Sequence, residues 1–126
     1  MNKDEMDRLL LDAVVDYGGR IGEGATVSSK EKLKKQTVYQ SISLADEDGF
    51  TRVRDAAIEC GNVLREDKKS GVIEAEIGAG AANMNPAIVV AQVSGNEIDI
   101  AAYAREGLIK QHAAKKAVEK LTQALT

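Results

Sequence analysis

The chain has no tryptophan, one phenylalanine (Phe50) and three tyrosines. A core without large rings rests on alanine, valine, isoleucine and leucine, so its helix and sheet faces must mate closely. Cysteine occurs once, at Cys60, which excludes an intramolecular disulfide and a cysteine metal cluster. A single histidine, His112, removes most zinc-ligand combinations as well. Long hydrophobic runs are missing too. Near the N-terminus the longest is Leu9-Leu10-Leu11, ended by Asp12. The sequence therefore reads as lacking a signal peptide, a lipid-attachment cysteine and a transmembrane span, and a cytoplasmic location is expected. An excess of positive charge is also absent. The net charge is −3 and the isoelectric point about 5.2, which argues against general nucleic-acid binding and against docking on anionic membranes.

Present instead is a chain of 126 residues with 44% hydrophobic and 29% charged residues, the composition of a folded globular domain. The richest segment runs from Val72 to Ala104, where apolar stretches alternate with glycine and asparagine turns. Gly71–Gly78 alternates cleanly, with Ile73, Ala75 and Ile77 inward and Glu74 and Glu76 outward, and it pairs with 62–67 across the polar turn Lys68-Lys69-Ser70. A second hairpin joins 87–94 to 97–104 through Ser94-Gly95-Asn96. Ala87–Ala91 is apolar on both faces, the mark of a strand that is central or covered twice. Residues 37–44 form a further strand, with Val38, Ile42 and Leu44 toward the core and Tyr39 and two serines outward.

Helical periodicity appears in three places. Met6, Leu9, Leu10, Ala13, Val14 and Tyr17 make one stripe over 4–17, preceded by an Asn2/Glu5 cap signature and ended by Gly18-Gly19. Residues 47–60 carry a stripe of Phe50, Val53, Ala57 and Cys60, with Asp46 or Asp48 as cap and Gly61 as a left-handed stop. Residues 109–125 carry Ala114, Ala117, Val118, Leu121 and Leu125.

The expected fold is α+β: an antiparallel sheet of about five strands packed on one face by two helices, in the order β-α-β-β-β-β-α, after an N-terminal amphipathic helix. Glu74, Glu76, Glu97 and Asp99 would project from the opposite, wetter face. Residues 1–36 read as that helix plus a Gly- and Lys-rich linker, hinged at Gly18–Gly24, and 37–126 as the two-layer domain.

The pattern from Val38 to Leu125 resembles small α+β domains of bacterial proteins of unknown function, and the helix-grip domains of an outer-membrane assembly lipoprotein. The shared features are a strand, a helix ending at Gly61, a strand, a polar turn and the strand Gly71-Val72-Ile73-Glu74-Ala75-Glu76, followed by two strands and a helix. The resemblance implies a non-catalytic binding or assembly module and carries over no functional residue.

No catalytic constellation emerges. His112 has only lysines and Gln111 nearby in sequence, and base catalysis needs a partner within hydrogen-bond reach. Cys60 lies at a helix C-terminus, where the dipole does not activate a thiol. Gly19–Gly24 lacks the ending of a phosphate-binding loop. Lys30–Lys35 has no interleaved aromatics for base stacking and reads as a solvated charge run. Tyr103 and Arg105 would support an enzyme only if they shared a cleft with a sheet carboxylate. The expectation is a non-enzymatic interaction module with no cofactor, no metal, no nucleic-acid partner and no membrane partner. It would associate with itself, as a homodimer or larger, through Met6, Leu9, Leu10, Ala13, Val14 and Tyr17. The alternative is a small-molecule or peptide binder whose rim is the loop 78–86, with Asn83, Met84 and Asn85 as contacts.

Overall fold

The computed structural model describes residues 1–20, 37–44, 48–79, 85–104 and 112–126. In chain order the elements are α1 (Lys3–Arg20), β1 (Val38–Ser43), α2 (Gly49–Cys60), β2 (Gly61–Asp67), β3 (Val72–Ala79), β4 (Asn85–Ser94), β5 (Glu97–Tyr103) and α3 (Ala113–Leu125). The strands form one antiparallel five-stranded sheet in the order β1-β5-β4-β3-β2. The expected α+β class and element order are therefore observed.

Alternation along the strands makes two faces, and both are covered. On one, α2 and α3 close over Ile73, Ala75, Ile77, Val89, Ile98 and Ile100. Val53, Ala57, Ala117, Val118, Leu121 and Leu125 supply the helical side of that core. Arg52 Nη2 donates to the Leu125 carbonyl at 2.8 Å and fixes α2 against the end of α3. Aspartate 48 caps α2 by accepting from the Thr51 N–H at 3.2 Å; Asp46 lies outside the described residues.

The second face departs from expectation. It is not a solvated surface: α1 lies across it. Met6, Leu10, Ala13 and Val14 pack on Val72, Ile88, Val90, Ala101 and Tyr103. The domain thus has three layers, helix pair, sheet and single helix. The doubly apolar Ala87–Ala91 stretch follows from this, because β4 is the central strand and is covered twice. Glu74 is 5% exposed instead of projecting into water, and Arg65 lies 3.8 Å from it across the strand pair.

Several ends differ from the sequence reading for local reasons. Helix α1 runs through Gly18-Gly19 to Arg20; residues 21–36, with the rest of the expected linker and the Lys30–Lys35 run, lie outside the described residues. Its start is as expected, with Asn2 Oδ1 accepting from the Glu5 N–H at 3.1 Å. Gly61 is extended at φ −174°, the first residue of β2 and not a left-handed stop. It is glycine because a Cβ there would lie 2.1 Å from the Glu76 carbonyl oxygen. The β4–β5 connection is a two-residue turn, with Gly95 at φ 64° supplying the positive angle that such a hairpin needs. Helix α3 runs over Ala113–Leu125; residues 109–111 of the expected helix lie outside the described residues. Among the described residues no helix is long and apolar enough to cross a membrane.

Candidate functional site

Two features adjoin at one corner of the sheet: a polar cleft on the α1 side, and the outer edge of β1. The cleft, of about 350 Å³, lies between the turn Lys68–Gly71 and the ends of β4 and β5. Its formation is a matter of backbone packing. The Val93 N–H donates to the Gly71 carbonyl at 2.7 Å, so the turn presses against β4. A Cβ on Gly71 would lie 2.2 Å from the Val93 carbonyl oxygen. Lys68 and Lys69 stand on the turn side of the cleft; Gln92, Glu97 and Asp99 line the strand side.

The carboxylates of the cleft are tied to β1. Ser41 Oγ donates to Asp99 Oδ1 at 2.9 Å, and Ser43 Oγ donates to Glu97 Oε1 at 2.6 Å. These are directly opposite pairs in the β1–β5 register. Helix α1 reaches the same corner through its first turns. Gln92 Nε2 donates to Glu5 Oε1 at 3.2 Å, Lys3 Nζ lies 4.9 Å from the centre of the Tyr39 ring, and the Tyr39 hydroxyl donates to the buried Asp7 carboxylate. Burial, that hydrogen bond and the Asp7 charge push the Tyr39 phenol up to about 12.

Among the described residues, no strand pairs with the outer side of β1, which is an edge of the sheet. The Leu44 N–H donates to the Asn96 carbonyl at 2.8 Å, continuing the β1–β5 register. Amides alternate along a strand. Those of Val38, Gln40 and Ile42 therefore face β5, and the backbone groups of Tyr39, Ser41 and Ser43 face away from it. No described strand lies beyond them. Thr37–Leu44 contains no charge, no glycine and no proline. The other edge, β2, is quite different. It carries Arg65-Glu66-Asp67, and its register with β3 slips by one residue between Val63 and Arg65, a bulge at Leu64. Charges and bulges are the devices that stop an edge from recruiting another strand. One edge has them and the other does not.

The residues singled out from sequence fall as follows. Met6, Leu10, Ala13 and Val14 are buried against the chain's own sheet, and Leu9 and Tyr17 are half-buried at the margin of that contact. Their burial needs no second copy. Asn83 and Met84 lie outside the described residues. Asn85 opens β4 opposite Ala79, its side chain outside what is described. His112 is exposed, left-handed at φ 53°, and makes no side-chain cap to α3. Cys60 is half-buried, its thiol donating to the Lys120 carbonyl at 3.6 Å and pushed up by burial. Tyr103 is buried under α1, and Arg105 lies outside the described residues. Among the described residues no group of three or more His, Cys, Asp or Glu could hold a metal ion.

Sequence reasoning missed Asp7 and Tyr39. A signal existed: Asp7, Leu10 and Val14 share one helical face, so an acid sits within an apolar stripe. Such an acid needs a hydrogen-bond donor, and the half-buried Tyr39 supplies one. Comparison with protein-family models, with curated proteins and with solved structures finds no match to the chain.

Proposed function

We propose that this protein is a non-catalytic interaction module that assembles with copies of itself through the β1 edge of its sheet. The observation that carries the reading is the asymmetry of the two edges. β2 is charged and bulged, while β1 presents an uncharged, unbroken strand. An edge of that kind is a template for strand addition.

The states of the reactive side chains support the non-catalytic part. The Cys60 thiol and the Tyr39 phenol are both pushed away from their nucleophilic, ionised forms by burial. His112 is exposed on a helix start with no side-chain bond to that helix. The stripe on α1, which suggested a dimer contact, is satisfied inside the chain, so self-association moves from that helix to the sheet edge. A ligand groove at 78–86 turns mostly on side chains outside the described residues, and no described contact favours it.

Sedimentation equilibrium of the full chain tests the proposal. The expected result is an apparent mass that climbs with protein concentration from 13.5 kDa toward twice that value. A mass fixed at the monomer value over the whole accessible range would contradict it.

A further inference from the structure

We infer that two copies pair β1 against β1 in antiparallel register, with the two-fold axis passing through Gln40, so that two five-stranded sheets join into one continuous sheet. The inference rests on the self-association proposed above and adds the partner strand and its register. It starts from parity. A two-fold axis perpendicular to a sheet keeps each face on the same side in both copies. Opposite residues must then both be even or both be odd, and the axis must pass through a residue opposite itself.

Four centres, at Tyr39, Gln40, Ser41 and Ile42, lie inside the strand, and the sequence separates them. With the axis at Gln40, Val38 lies opposite Ile42 of the second copy, Tyr39 opposite Ser41, and Gln40 opposite itself. Val38 and Ile42 already pack against the α2/α3 core and are only half-buried. Pairing them adds apolar surface to apolar surface along the same layer. With the axis at Tyr39, Val38 would face Gln40; with the axis at Ser41, Ile42 would face Gln40; with the axis at Ile42, Leu44 would face Gln40. Each of these shifts sets an apolar side chain of the core face against an amide. Only the Gln40 centre sorts like with like.

The backbone agrees. Even-numbered residues of β1 turn their amides toward β5, so Gln40 forms a non-hydrogen-bonded pair at the axis. Tyr39 and Ser41 then form the flanking hydrogen-bonded pairs, with outward N–H and C=O groups available to exchange. Gln40 is exposed, and its amide donates to the Ser41 carbonyl at 3.2 Å, covering one of those outward acceptors. On pairing, that carbonyl takes a backbone donor and the Gln40 amide is released to meet its symmetry mate. The serine hydroxyls remain bound to Asp99 and Glu97, so they do not compete for the new ladder. An uncharged edge is also what a self-pairing strand requires, because symmetry would set any charge near its own copy.

The test uses the full chain with Cys60→Ala, so that the only thiol is the one introduced. Opposite Cα atoms of a non-hydrogen-bonded pair lie about 4.5 Å apart, within disulfide reach. Gln40→Cys is therefore expected to give a covalent dimer under mild oxidation, with Tyr39→Cys and Ser41→Cys lagging by at least about tenfold because their own copies are offset along the strand. Gln40→Lys sets two ammonium groups together at the axis and is expected to return the protein to the monomer mass. Asn62→Lys, an exposed change on the β2 edge, is expected to leave the dimer intact, and circular dichroism checks that each variant keeps its fold. A dimer that survives Gln40→Lys and does not cross-link at position 40 overturns this register and leaves self-association standing. A wild-type protein that is monomeric at every concentration overturns both.

Discussion

The Tyr39 hydroxyl donates a hydrogen bond to the Asp7 carboxylate, joining α1 to β1 across 32 positions of sequence. This bond ties the single-helix layer to the edge strand and gives α1 a polar anchor within an apolar contact. Tyr39→Phe removes the donor. Hydrogen bonds to charged groups contribute about 1.5–3 kcal/mol, and a fall in unfolding free energy of about 2 kcal/mol is expected from urea titration. The fold itself should persist.

The same pair gives the protein an alkaline limit. The Tyr39 phenol is raised from its ordinary 10.0 to about 12. For an acid whose folded value is raised, the stabilising contribution belongs to the neutral form. It is fully present below the unfolded value and is lost as pH rises from about 10 through about 12. Phenolate absorbance followed together with unfolding midpoints checks this. Tyr39→Phe should lose the late-titrating component and show a shallower decline of stability over that interval.

Helix α1 is part of the core and not a detachable arm. Leu10 is fully buried between α1 and the sheet, and Leu10→Ala should destabilise by about 2–5 kcal/mol. Val15, on the same helix, is 42% exposed; Val15→Ala should change stability by less than about 0.5 kcal/mol. Equal small effects at both positions would contradict the packing described.

Two glycines separate space from angle. Gly61→Ala drives a methyl group into the Glu76 carbonyl and must shift backbone, so a loss of about 3 kcal/mol or more is expected. At Gly95 nothing lies within 4 Å of a Cβ, but φ is 64°. Gly95→Ala should cost only about 1–2 kcal/mol, the penalty of a left-handed residue. Thermal melts of the two variants suffice.

Acid sensitivity has a local contributor. The Asp48 carboxyl is held below its ordinary 3.8 by the Thr51 N–H that it caps. Its contribution is present above that ordinary value and fades as pH falls through the lowered one. Asp48→Ala should lower the melting temperature at neutral pH and leave it nearly unchanged under strongly acidic conditions.

Much of this architecture was legible because periodicity reports burial directly. Ile73, Ala75 and Ile77 alternate with two glutamates and do face one core. The stripe Ala114–Leu125 is buried as its spacing requires. What failed was the joining of two readable signs. Ala87–Ala91 announced a strand covered on both faces, and Met6–Tyr17 announced a helix in need of cover, but no local pattern states that one answers the other. Glycine was ambiguous for a different reason. Gly18 and Gly19 lie within a helix, and Gly61 serves close backbone approach, because sequence does not say which property of glycine is in use. The edge was invisible as well: strand order, not strand pattern, decides that β1 and β2 are outermost.

Amide hydrogen exchange in β1, followed as a function of protein concentration, tests the central claim most directly. The amides of Val38, Gln40 and Ile42, which face β5, should be protected at every concentration, while those of Tyr39, Ser41 and Ser43 should exchange freely in dilute solution and become protected as the protein is concentrated. Outward amides that exchange freely even where the protein is dimeric would contradict assembly through this edge.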